Sequence, residues 1–180
     1  MSTPSDLTQS GENLVLGMVN AANTDLPNGP LSSSNVTLGA PTATGASPNT
    51  SVEFSAIASH GYTGSVTCTY DRLDISADVF SVLAPGGATL VDASYATIAD
   101  LLAPLNTAYA INLQAGDISN GATALSLTED AGTATIEIAS TCLTYTGSLV
   151  VTITQPQLAL SSVITTTALT GLTAPAAAPI

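Results

Sequence analysis

Lysine is absent from this chain, and Arg72 is its only arginine. Binding to DNA, RNA or an anionic membrane needs clustered Lys and Arg to neutralise phosphates, so composition excludes all three partners. It equally excludes a phosphate loop built on a lysine. Tryptophan is missing, and aromatics make up 4% of a chain that is 45% hydrophobic, so the core is expected to consist of Val, Ile, Leu and Ala. Charged residues reach only 8%, against roughly 25% in ordinary globular domains. The surface must then be mostly Ser, Thr, Asn, Gly and Ala. No apolar run approaches the roughly 18 residues that a spanning helix requires. The opening stretch MSTPSDLTQSGEN lacks a basic region followed by an apolar run, so no signal peptide is expected. What charge there is has one sign: the formal net value is −12, which favours solubility through self-repulsion.

Against these absences stands an internal repeat. SVEFSAIASHGYTGSVTCTYDRLDI (residues 51–75) returns, altered, as ATIEIASTCLTYTGSLVVTITQPQL (residues 134–158). Both copies contain Ile-Ala-Ser, then Tyr-Thr-Gly-Ser, then a second alternating stretch. In the first copy Val52, Phe54, Ala56 and Ala58 alternate with polar residues, the period of a strand with one buried face. Gly61 and Gly64 supply turn conformations between the two strands. Aligning Tyr62 with Tyr145 sets Val66, Cys68 and Tyr70 against Leu149, Val151 and Ile153, and every apolar position keeps its face. Upstream of each hairpin lies a helical stripe: Val15, Met18, Val19 and Ala22 in one half, Ile98, Leu101, Leu102 and Leu105 in the other. Asn20 and Asn106 fall at like points. Short strands are expected at residues 35–38 and 122–127. The expected architecture is α+β: two related helix-plus-antiparallel-sheet units, each helix, strand, strand, turn, strand.

The expected boundaries are residues 1–85 for the first unit, 86–160 for the second, and 161–180 for an extended C-terminal tail, with Pro85-Gly86-Gly87 as the divide. Residues 1–9 read as an extended polar lead-in, and Ser10 as a helix cap. Pro104 inside the second helical pattern requires a kink or a later start. The tail residues 165–180 carry no charge and are rich in Ala, Thr and Pro, which suits a chain laid along a partner in an assembly. Asn35-Val36-Thr37 and Asn49-Thr50-Ser51 match the glycosylation pattern but read as polar turns.

No constellation of catalytic residues emerges, and no catalytic, cofactor-binding or metal-binding residue is assigned. The only histidine, His60, sits in a turn without a second His, Cys or Lys close by, and reads as a surface residue. Asp71, Asp74 and Asp78 lack the alternating oxygen ligands and central glycine of a calcium loop; they read as solvating a strand end and pairing with Arg72. The carboxylate pairs Glu129-Asp130 and Glu53 with Glu137 could serve acid–base chemistry only alongside sugar-stacking aromatics, which are scarce. No Gly-x-Ser-x-Gly elbow is present. Cys68 occupies an apolar-face position and reads as buried; Cys142 falls among extra residues of the second copy; both are expected as free thiols.

The segments VNAAN…L (from Val19), NTSVEFSA (from Asn49) and GYTGSVTCTYDRLD (from Gly61) resemble a domain of virion structural proteins from large-genome tailed bacteriophages. The likeness covers residues 13–75 and, more weakly, 100–153; Cys68, where a β-branched residue would be expected, departs from it. It implies a non-enzymatic structural subunit, a decoration, tail or baseplate component located in the virion after synthesis in the host cytoplasm. Its partners would be other virion proteins and copies of itself, with no nucleic acid, membrane or cofactor. The alternative is a host-surface or glycan-binding module of a fibre, for which Tyr95 and Tyr109 would be the platform residues.

Overall fold

The computed structural model describes residues 6–91, 95–125, 131–154 and Ile164. In the first unit α1 (Gly11–Ala22) begins where the Ser10 hydroxyl accepts a hydrogen bond from the Asn13 N–H at 3.3 Å. Four strands follow: β1 (Val36–Leu38), β2 (Thr42–Ala43), β3 (Thr50–Ala56) and β4 (Ser65–Tyr70). All pairings are antiparallel; β1 and β2 share one side of β3, and β4 takes the other. Val15 and Leu16 of α1 pack on Val36, Val52 and Phe54 to form a small core. Of the expected helical stripe only Val15 is fully buried. Met18 and Ala22 are exposed, because the helix overhangs β4, beyond which the sheet has no further strand among the described residues.

The chain then crosses through β5 (Leu73–Asp74), a π-helix (Ile75–Phe80), the single turn α2 (Ser81–Leu83) and β6 (Ala88–Val91). In the second unit a 3₁₀ turn (Ile98–Leu101) runs into α3 (Leu102–Tyr109), followed by β7 (Ala131–Glu137), β8 (Tyr145–Thr146) and β9 (Ser148–Thr154). The Asp100 carboxylate caps the 3₁₀ turn by accepting from the Thr97 N–H at 2.8 Å, a contact that holds its pKa below the usual value. All four residues of the expected stripe here are buried, and α3 starts later than Thr97, with Pro104 in its first turn. β7 pairs antiparallel with β9, as β3 does with β4; β6 lies parallel on the other side of β9.

The fold is therefore α+β, with a helix and an antiparallel hairpin in each half, and the repetition extends to individual bonds. Phe54 lies opposite Val66 as Ile136 lies opposite Leu149. The Ala56 N–H donates to Gly64 O at 2.9 Å, and the Ile138 N–H to Gly147 O at 3.1 Å. Both glycines have positive φ, 79° and 82°, which any side chain would strain. Asn20 clamps the Leu31 backbone twice, donating from Nδ2 at 2.8 Å and accepting at Oδ1 at 2.7 Å. Asn106 holds Leu113 in the same way, at 2.8 and 2.9 Å.

Several expectations need correction. These bonds set Ile138 level with Ala56, so the two Ile-Ala-Ser tripeptides stand one residue out of step. Tyr62 lies in the turn before β4, whereas Tyr145 is paired in β8. The counterpart of β1 is Ile118, which makes a single bridge to Ile138. Ala124, in the stretch expected to be that strand, bridges Thr97 instead; residues 126–127 lie outside the described residues. Ile75, Val79 and Phe80 join the larger core of the second unit, so the apolar contents of the two units part near Arg72 and not at Pro85-Gly86-Gly87. The lead-in is turned, not extended, at Asp6–Gln9, where the Gln9 N–H donates to Asp6 O at 3.2 Å. The tail, residues 165–180, lies outside the described residues. Among the described residues no helix is long and apolar enough to cross a membrane.

Candidate functional site

The single arginine is spent inside the molecule. Arg72 is 8% exposed and ties the two units together. Its Nε donates to Thr50 Oγ1 at 2.9 Å, and one terminal nitrogen donates to the carbonyls of Ser140 at 3.1 Å and Cys142 at 2.9 Å. Asn49 holds the Arg72 backbone from both sides, accepting from its N–H at 2.8 Å and donating to its carbonyl at 3.0 Å. Tyr70 adds a further bond across the junction, donating to Leu143 O at 2.7 Å, and its burial pushes the phenol pKa up to about 12. A buried guanidinium needs partners for its donors, and here three neutral oxygens accept from Nε and one terminal nitrogen.

The expected pairing of Arg72 with the neighbouring aspartates is therefore overturned. Asp71 accepts from Ser47 Oγ at 2.9 Å and from the Asn49 N–H at 2.6 Å. Asp74 caps the π-helix, accepting from the Ser76 and Ala77 N–H groups at 3.0 and 2.8 Å. Asp78 accepts from the Asp74 N–H at 2.8 Å. Each carboxylate fixes backbone, and among the described residues no group of three or more His, Cys, Asp or Glu side chains is arranged to hold a metal ion.

The remaining candidates scatter. His60 is exposed in the turn after β3. Glu53 and Glu137 are exposed on different sheets, and Glu129 and Asp130 lie outside the described residues. Both cysteines are free thiols. Cys68 is only half-buried, contrary to expectation, because β4 is an edge strand among the described residues. Cys142 is the buried one, and burial raises its pKa to about 11. Tyr95 and Tyr109 both pack against the larger core. Tyr109 meets Phe80 edge-on at 5.0 Å, and its hydroxyl is held between the N–H and C=O of Thr89, so it forms no open platform.

Two surface recesses stand out. One, of about 620 Å³, lies over the π-helix and is lined by Asp74, Ser76, Phe80, Ser81, Gly147 and Ser148. Its Asp74 and Ser81 already serve as a cap and as a donor to the Ala77 carbonyl. The other, of about 380 Å³, is a groove between α1 and β4, bounded by Val15, Met18, Val19, Ala22, Cys68 and Tyr70. Nothing in the sequence marked the groove, because it results from the place of β4 at the edge of the sheet among the described residues. The outer faces of the sheets complete the picture: Thr67 and Thr69 on one, and Thr89, Val91, Thr133, Thr135 and Val150 on the other, are exposed and uncharged.

Residues 4–178 match a family of unknown function (DUF7941). No curated protein and no solved structure matches the chain at a significant level.

Proposed function

The chain belongs to this family of unknown function, and we propose that it is a structural subunit of a tailed-bacteriophage particle, acting through packing against other virion proteins and against copies of itself. The observation that carries this reading is the surface. Both sheets turn outward Ser, Thr and Val faces nearly free of charge, and one sheet ends, among the described residues, in an unpaired edge beside an apolar groove. Such faces desolvate at low cost, whereas a face of isolated charges would not. The resemblance of residues 13–75 to virion structural domains points the same way. The polar groups that might have formed an active site, the three aspartates and Arg72, hold backbone in place. Mass spectrometry of purified particles, followed by antibody labelling under the electron microscope, tests the reading. A fixed copy number at one location on the particle is expected; absence from washed particles would refute it.

A further inference from the structure

β4 pairs with β3 on one side and with no other strand among the described residues. Alternate N–H and C=O groups of Ser65–Tyr70 therefore face outward from the sheet. The repeat provides an occupied version of the same edge. On β9, the counterpart of β4, that side is covered by β6 running parallel, with Ala88 level with Val151 and Leu90 level with Ile153. Transferred to β4, such a strand would run past Cys68 and Tyr70 along the groove bounded by Met18, Val19 and Ala22. β6 comes from the chain that follows the first unit, Ala88 lying 18 residues after Tyr70. The same step from Ile153 ends at Gly171, within Thr170-Gly171-Leu172-Thr173-Ala174. That segment carries no charge, and the family match continues through residue 178. It can thus approach an acidic body without repulsion, and it is part of what the family shares.

We propose that residues 165–178 of one copy add as a parallel strand to β4 of a second copy, in the groove between α1 and β4. Each unit is then completed by the chain that follows the unit before it: within the molecule for the second unit, between molecules for the first. The contact joins the tail of one copy to the sheet edge of another, so it builds reciprocal dimers, rings or filaments. It rests on the reading of the chain as an assembly subunit and names the partner surface.

Cys68 on β4 makes the test direct. The full chain carrying Gly171→Cys, the position level with Cys68, is oxidised with copper–phenanthroline in air; covalent dimers and higher oligomers are expected on a non-reducing gel, lost when Cys68→Ser is added. A disulfide confined to one chain, or none while Cys68 still reacts with a maleimide, would overturn the proposal. Truncation after Ile164 is expected to weaken self-association at least tenfold by light scattering; unchanged association would also overturn it. A full-length chain that stays monomeric yet occupies purified particles would defeat the strand exchange and leave the particle reading intact. Covalent oligomers from a chain absent from particles would support the exchange and defeat the particle reading.

Discussion

The two units share a register and differ in what covers it. Val66 and Leu149 hold equivalent places opposite Phe54 and Ile136, yet Val66 is 58% exposed and Leu149 is 3% exposed. Cys68 and Tyr70 are half-buried where Val151 and Ile153 are fully buried. The hairpins do not account for this, since their pairings correspond residue for residue. β6 and the π-helix account for it by sealing the second sheet, while among the described residues α1 is the one helix on the first. Strand register here is a local property of alternation and turn, and burial is a property of neighbours supplied from elsewhere in the chain.

The largest expected effect breaks the junction between the units. Arg72→Met should destabilise by about 3 kcal/mol or more, because it leaves the buried Thr50 hydroxyl, the buried Cys142 carbonyl and the part-buried Ser140 carbonyl without their donor; denaturant unfolding measures it, and a loss below about 1 kcal/mol would show the junction to be dispensable. Next comes a matched pair that sharpens the comparison. Leu149→Ala should cost about 2–4 kcal/mol and Val66→Ala less than about 0.5 kcal/mol. Equal costs would mean that Val66 is covered in solution. Asn20→Ala and Asn106→Ala should each cost about 1–3 kcal/mol, and similar values would confirm that the clamps are equivalent where the sheets are not.

The smallest effect concerns pH. Folding raises the pKa of Cys142 to about 11 and those of Tyr70 and Tyr145 to about 12, from ordinary values of 9.0 and 10.0, in each case chiefly through burial. Within these windows the folded state holds protons that the unfolded state has released. Stability should therefore be fully present below about pH 9 and decline as pH rises toward 12. Tyr145→Phe should flatten the upper part of that decline. Near neutrality it should be neutral or slightly stabilising, since the Tyr145 hydroxyl is buried with no hydrogen-bond partner. Midpoints of denaturant unfolding at a series of pH values would check both statements.

Much of this was legible in the residues. The alternation of Val52 and Phe54, the glycines after Tyr62 and Tyr145, and the matching positions of Asn20 and Asn106 are all local signals, and each corresponds to a feature of the fold. The parallel pairings were not legible. β6 is four residues long, and its partner β9 lies some sixty residues away, so nothing local distinguishes it from a loop. Arg72 was misread for a similar reason. Its neighbours Asp71 and Asp74 suggested an ion pair, whereas the carbonyls that receive its protons belong to Ser140 and Cys142. The groove is invisible in sequence because it is defined by a strand that, among the described residues, one unit has and the other does not.

With Arg72 buried, the chain's 13 acidic residues have neither a lysine nor a second arginine to balance them. Two copies approaching each other meet as polyanions at every orientation, and no rotation presents one with an attractive patch on the other. Dissolved ions then act in the reverse of their usual sense at protein contacts. Screening extends over about 30 Å at 0.01 M salt and about 10 Å at 0.1 M, so adding salt removes an obstacle and breaks no bond. Self-association of this molecule should strengthen as ionic strength rises, through its uncharged faces alone.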